Sequence, residues 1–242
     1  MTFTMIGRCG KTGRTGIALA TVSLGVGGLC IFVTKKDDIV SSQAYAQPKV
    51  GVEVTRLLDS GCPPAQLENA IKAADPYYTY RQVGVLSRSG VSFVYTGPDA
   101  RPWAGHITGP DYIAMGNFLA GSEVLKAMVE GFNKDTNMDL EERLMLALEA
   151  SRDAGGQRAA TGEHCAERSS ALLVIGEGSV REIDLRVDIH SHAVEELRWS
   201  LQIFKKYNSF NRLRAEDPPH TPALVEWEKE NLSENPPPSP IL

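Results

Sequence analysis

Strand-like and helix-like segments of this chain come in blocks rather than in alternation, and that order constrains its fold more than any other feature. Thr2 to Cys9 alternates in polarity, Gly10-Lys11-Thr12-Gly13 is a turn cluster, and Ile17 to Val22 forms a second run, so the chain opens as a hairpin. Leu29 to Val33 and Ile39 to Ser42 add short strands. Val50, Val54, Leu57 and Leu58 have helical spacing that Gly61 stops, and Pro63-Pro64 opens a helix carrying Leu67, Ala70, Ile71 and Ala74 on one face. Tyr80 to Leu86 and Val91 to Tyr95 flank Arg88-Ser89-Gly90 as a second hairpin. Beyond a Gly- and Pro-rich stretch, Ser122 starts a helix with Val124, Leu125, Met128 and Phe132. Asp139 starts the next, with Glu142 at the position of a capping box. Ser170 to Ile175 and Glu182 to Val187 form a third strand pair, and Val194 to Tyr207 a long amphipathic helix. Paired strands and paired helices do not fit the strict strand-helix order of a parallel sheet. They predict an α+β protein with antiparallel sheets, most simply two sheets between helix pairs.

With 242 residues, of which 42% are hydrophobic and 23% charged, the chain can bury a sizeable core. One domain over residues 1–214 is expected, followed by a Pro-rich tail over 215–242 in which Pro218, Pro219, Pro236, Pro237, Pro238 and Pro240 stand. A net charge of −5 argues against nucleic acid or an anionic membrane as partner. Cys9, Cys30, Cys62 and Cys165 are scattered without a framework, which fits a reducing compartment.

The N-terminal segment allows a competing reading. Arg8, Lys11 and Arg14 precede an uncharged run from Gly16 to Thr34, and Ala44-Tyr45-Ala46 resembles a signal-peptidase site. The run is longer than a signal core of about 7–15 residues. Lys35, Lys36, Asp37 and Asp38 separate it from the supposed cleavage site, and Gly16, Thr21, Ser23, Gly25, Gly27 and Gly28 interrupt it. Two strands with a Gly-rich bend explain it better, and a cytoplasmic protein is expected.

Met1-Thr2 precedes the first strand. Methionine ahead of a small residue is normally trimmed, which would leave Thr2 with a hydroxyl and a free α-amino group on one residue. An α-amino group of pKa near ~8 is partly neutral at physiological pH and can accept the hydroxyl proton, so nucleophile and base come together.

The chain resembles the N-terminal-nucleophile (Ntn) hydrolase fold, and more specifically the bacterial family catalogued as domain of unknown function 1028. The matching stretches are Thr2-Phe3-Thr4-Met5-Ile6, Gly16-Ile17-Ala18-Leu19-Ala20, Ser42-Gln43-Ala44-Tyr45 and Tyr80-Arg81-Gln82-Val83-Gly84-Val85. They continue with Ala104-Gly105-His106, Gly116-Asn117-Phe118-Leu119-Ala120-Gly121, Ala154-Gly155-Gly156 and Asp184-Leu185-Arg186-Val187-Asp188. The resemblance implies a four-layer αββα sandwich of two antiparallel sheets, and an amidohydrolase acting on C–N bonds other than peptide bonds. Thr2 would attack a small amide, lactam or ureido carbonyl. Two departures stand out. Where proteasome-type relatives place an Asp after the second strand and a Lys beyond it, this chain has Thr21, with Lys35 or Lys36 only near the Lys. The family's Gly-Gly-Asp reads Gly156-Gln157-Arg158, followed by an insertion through Glu167. These departures motivate an alternative, a non-catalytic Ntn-like ligand-binding or interaction module.

Amide hydrolysis needs donors to the tetrahedral oxyanion. Asn117 in Gly116-Asn117 is the candidate donor, against a turn Asn at a strand end. His106, in a Gly-rich stretch, is a candidate to orient substrate or relay a proton, against a structural histidine. Gln43, Arg81 and Thr21 are candidate substrate-binding residues, Arg81 through a bidentate grip on a carboxylate, against a structural ion pair. Asp188, His190 and His192 have the period-two spacing of a metal set, with Glu163, His164 and Cys165 as further donors. Ntn chemistry needs no metal, however, and none is expected, nor any cofactor. The expected partners are a small amide-type substrate and further copies of the chain in a homo-oligomer.

Overall fold

The computed structural model describes residues 1–232, so Pro236, Pro237, Pro238 and Pro240 lie outside the described residues. The chain begins with β1 (Thr2–Arg8), β2 (Thr15–Thr21), a short α1 (Val26–Cys30), β3 (Ile31–Val33) and β4 (Ile39–Ala44). Helices α2 (Pro48–Asp59) and α3 (Leu67–Ala74) follow, then β5 (Arg81–Leu86), β6 (Ser92–Thr96), β7 (Gly105–Gly109) and β8 (Tyr112–Asn117). The remainder holds α4 (Ser122–Asn133), α5 (Leu140–Asp153), a small β9–β10 pair (Gln157–Arg158 and His164–Cys165), β11 (Ser169–Ile175), β12 (Arg181–Val187), α6 (Ala193–Glu216) and α7 (Leu224–Asn231).

Ten of the strands form two antiparallel sheets, one in the order β12-β11-β2-β1-β8-β7 and one in the order β3-β4-β5-β6. Period-two alternation divides each strand between two faces. Phe3, Met5, Ala18, Ala20, Leu172 and Val174 pack outward beneath α4, α5 and α6. Ile6, Ile17, Leu19, Ile113 and Met115 face Ile39 and Leu86 of the smaller sheet. That sheet's other face, with Val40, Val83 and Val85, is covered by Val50, Val54 and Leu58 of α2 and Leu67 and Ile71 of α3. Each fully buried aliphatic side chain here contributes roughly 1.5–3 kcal/mol. The protein is therefore an α+β fold of antiparallel sheets and covering helices. Among the described residues no helix is long and apolar enough to cross a membrane.

The structure differs from the sequence expectations at four places. The Gly- and Pro-rich stretch before Ser122 holds β7 and β8, hidden because Gly105, Gly109 and Gly116 break the alternation. The Gly-rich bend after β2 is partly helical, as α1. The Asp139 side chain makes no cap hydrogen bond and accepts from Lys205 Nζ at 3.3 Å, while Glu142 accepts from Arg198 at 2.5 Å and from Lys205 at 3.1 Å, so no capping box forms. Helix α6 continues to Glu216, and α7 folds back so that Trp227 stacks on Phe210 (centroids 5.1 Å apart) and Tyr207 (5.8 Å).

Candidate functional site

The space between the sheets changes character along the strands. One end is filled by Ile6, Ile17, Ile39, Leu86, Ile113 and Ile175. At the other end the inward positions of β1, β2, β4, β5 and β8 are occupied by Thr2, Thr4, Thr21, Gln43, Gln82 and Asn117, all buried. Buried polar groups must find partners, and here they find one another.

Gln82 is the centre of this network. Its Oε1 accepts from Gln43 Nε2 at 2.8 Å and from Asn117 Nδ2 at 3.1 Å. Its Nε2 donates to Thr96 Oγ1 at 2.9 Å and to the carbonyls of Gly105 and Gly116 at 3.0 Å. Gln43 Oε1 accepts in turn from Thr4 Oγ1 at 2.6 Å, tying the larger sheet to the smaller. The chain of bonds ends at His106 Nδ1, 2.9 Å from Thr96 Oγ1. Partial burial lowers the His106 pKa, which favours the neutral ring and lets Thr96 donate to it.

Thr2 sits where β1 meets this network. Its register partners are Thr21 on β2 and Asn117 on β8, and its hydroxyl donates to Thr21 Oγ1 at 3.3 Å. Thr21 Oγ1 donates to the Met1 carbonyl and accepts from Ser23 N–H at 3.2 Å. Close approach of β8 depends on Gly116, where an added Cβ would fall 2.7 Å from Leu119 Cδ1 and 3.1 Å from the Thr2 carbonyl oxygen. Met1 lies over Thr2 in a cavity of about 240 Å³ that Ala44, Tyr45, Arg101, Asn117 and Phe118 complete. Burial lowers the pKa of the Met1 α-amine; Cys30 and Cys165 oppose the shift, and the nearby Arg101 charge adds to it. A larger hollow, of about 670 Å³ beside β3 and α2, has Lys35, Asp59 and Arg181 in its walls and no member of this network.

Behind the end of β2 stands a second polar pair. Gln157 Oε1 accepts from Val22 N–H at 3.3 Å, and Gln157 Nε2 donates to Glu167 Oε1 at 3.3 Å. Arg168 N–H binds the Thr21 carbonyl at 2.8 Å. The segment that interrupts the family pattern thus returns a carboxyl group to Gln157, and burial raises the Glu167 pKa.

Of the candidates read from sequence, Thr2, Thr21 and Asn117 meet, and Asn117 lies in a strand rather than a turn. Gln43 belongs to the same network but is fully buried, tied to Thr4 and Gln82. His106 is exposed at the network's outer end. Arg81 makes the structural ion pair, with Nε 2.7 Å from Asp75 Oδ2 and Nη1 donating to the Tyr45 carbonyl. Lys35 and Lys36 are exposed in the β3–β4 turn, beside Asp37, whose carbonyl binds Thr15 at the far end of β2. Asp188 pairs with Arg186 at 2.8 Å, and His190 Nδ1 accepts from the His192 N–H at 3.1 Å. Among the described residues no three His, Cys, Asp or Glu are grouped as metal ligands. Sequence reasoning missed Gln82, Thr96 and Arg101. A polar residue on a strand otherwise buried and apolar, as at Gln82 beside Val83 and Val85, was the available signal for the first.

Fold and site together define an α+β protein of two facing antiparallel sheets, with a cavity where the first strand begins, lined by Arg101 and Asn117 among apolar and aromatic side chains. The chain belongs to the Family of unknown function (DUF1028), whose model matches residues 2–197. It is similar to the crystal structure of protein SPO2555 from Silicibacter pomeroyi, of the same family model. The TM-score is 0.75 and the identity 29%, over 84% of this chain and 89% of that one. No curated protein matches the chain.

Proposed function

We propose that this chain is an Ntn-type hydrolase, built as an αββα sandwich and acting on the C–N bond of a small amide, lactam or ureido compound. The observation that supports this reading most is the placement of Thr2. Its hydroxyl faces a polar network, its backbone lies between Thr21 and Asn117, and Met1 ahead of it lines a cavity. Cleavage of the Met1–Thr2 bond opens that cavity and leaves a new α-amine beside the Thr2 hydroxyl. Burial of the kind that lowers the Met1 amine pKa favours the neutral form of such an amine, the form that can act as a base.

In the reaction, the Thr2 hydroxyl proton passes to the α-amine as Oγ1 bonds to the substrate carbonyl carbon. The oxyanion so formed is met by the Asn117 Nδ2 hydrogen that Gln82 does not take. The ammonium then protonates the leaving nitrogen, the C–N bond breaks, and an ester remains on Thr2. Water attacks that ester with the amine again as base, releasing the acid. Thr21, freed from the Met1 carbonyl, is left to orient the amine.

The alternative, a non-catalytic ligand-binding module on the same sandwich, is favoured by one observation: among the described residues no lysine lines the cavity. Intact mass and N-terminal sequencing, followed by Thr2→Ala against a panel of amides, separate the two. The hydrolase reading expects a protein that starts at Thr2 and loses turnover on substitution. Retained Met1, or turnover indifferent to Thr2→Ala, overturns it.

A further inference from the structure

The cavity at Thr2 carries a cation that neither the polar network nor the proposed chemistry uses. Arg101 lines it together with Met1 and Asn117, in the loop between β6 and β7. Its guanidinium carbon lies 5.6 Å from the ring centroid of Tyr45 and 5.5 Å from that of Phe118, and its Nε donates to the Tyr45 hydroxyl. Arg101 makes no ion pair among the described residues, whereas Arg81, nearby, is neutralised by Asp75 at 2.7 Å. Two aromatic faces and one hydroxyl fix the plane of the guanidinium and leave its Nη groups as donors.

The backbone around this arginine is held in a costly form. Ala44 and Phe118, both lining the cavity, have φ of 75° and 63° without being glycine. Left-handed backbone at a non-glycine residue costs of order 1–3 kcal/mol, and a bulky side chain there is uncommon. The strain at Phe118 places its ring against Arg101, and the Phe118 N–H binds the Arg101 carbonyl at 3.2 Å. Tyr45 is anchored on the other side by Arg81, which donates to its carbonyl, and by an edge-to-face contact with Tyr80 at 5.3 Å. Both walls of the arginine are thus fixed before any ligand arrives.

We infer that Arg101 is an anion-binding residue and that the cavity takes a small molecule bearing a carboxylate. A planar, fixed guanidinium matches the two oxygens of a carboxylate in a way a lysine does not. With Met1 in place the cavity is about 240 Å³, and the space that Met1 vacates adds room for a compact acid. As a statement about substrate this rests on the Thr2 reading: the substrate class becomes amides of small carboxylic acids, such as N-acylated amino acids. As a statement about binding it does not depend on Thr2.

Binding is therefore measured on protein carrying Thr2→Ala, with Met1 removed by methionine aminopeptidase, by calorimetry and thermal shift. The probes are N-acetyl amino acids and the methyl esters of the same compounds. The expected result is that the acids bind roughly tenfold or more tightly than their esters. Arg101→Gln removes this preference, and Arg101→Lys restores part of it. Equal affinity for acid and ester, an acid preference that survives Arg101→Gln, or no acid bound at all overturns the assignment. If the acids bind through Arg101 but the protein with Thr2 intact cleaves none, the hydrolase reading fails while the anion site stands.

Discussion

Asn117 stands directly opposite Thr2 in the antiparallel register of β8 with β1, and its side chain reaches back to Gln82 Oε1 at 3.1 Å. The pairing puts an amide donor, held by the opposite sheet, beside the first residue of the central strand. One hydrogen of Asn117 Nδ2 satisfies Gln82; in the proposed chemistry the other serves the cavity that Asn117 lines.

If that hydrogen meets the oxyanion, Asn117→Ala lowers kcat by about 10²–10³-fold while KM moves little. Steady-state kinetics on any amide the protein cleaves reads this. A loss below tenfold assigns the oxyanion to other donors.

Removing the centre of the network has a structural cost. Gln82→Ala leaves the Gln43 and Asn117 amides without their shared acceptor in a fully buried space. With about 1–3 kcal/mol for each orphaned group, the loss is at least about 2 kcal/mol in urea unfolding. Gln82→Glu keeps the acceptor but sets a buried carboxylate oxygen against the carbonyls of Gly105 and Gly116, and is expected to lose at least as much at neutral pH. Equal stability of Gln82→Ala and the parent protein would mean that water replaces the amide.

Glu167 gives a pH-dependent signature. Burial raises its pKa above 4.5, so the folded state favours the protonated acid. Its favourable contribution is complete below the unfolded pKa and is lost as pH rises through the folded one. Glu167→Gln keeps an acceptor for Gln157 Nε2 and removes the charge. It is expected to raise Tm at pH 7–8 and to match the parent near pH 4. A gain independent of pH would refute the assignment.

The Arg81–Asp75 pair has the opposite sign. The hydrogen bonds from Arg81 hold Asp75 below its ordinary pKa of 3.8, so the stability it contributes is present above that pH and fades as pH falls through the lowered value. Both side chains are only 10% exposed, and Arg81→Met leaves a buried carboxylate unpaired at a cost of about 3–5 kcal/mol. Chemical unfolding between pH 3 and 7 is expected to show a deficit that shrinks on acidification. A deficit constant with pH would indicate that lost packing, not charge, sets the cost.

The block order of strands and helices was legible because period-two and helical spacing are local properties, strong in segments such as Ile17 to Val22 and Val50 to Leu58. β7 and β8 were not legible. Their glycines leave room for the side chains of Trp103, Tyr112 and Leu119, and Gly116 also for the Thr2 carbonyl, demands that depend on how those groups pack rather than on the alternation of the strand. Asn117 was read from sequence as a candidate donor to the oxyanion, and its place opposite Thr2 is a matter of register that no local pattern carries. Arg81 and Arg101 divide on the same ground. Both are arginines beside aromatic residues in sequence, and only the fold shows that Asp75 neutralises the first while the second lines the cavity.

The sequence by itself determined the α+β class, the hairpins, most of the helices and the prominence of Thr2, because alternation, capping residues and turn residues act within a few positions of one another. The tertiary structure decided which polar side chains share the space between the sheets. Thr4, Gln43, Gln82 and Asn117 come from four strands far apart in the chain, and each finds a hydrogen-bond partner in this buried space in another of the four. That mutual dependence is a property of the packed sheets, and no single segment carries it.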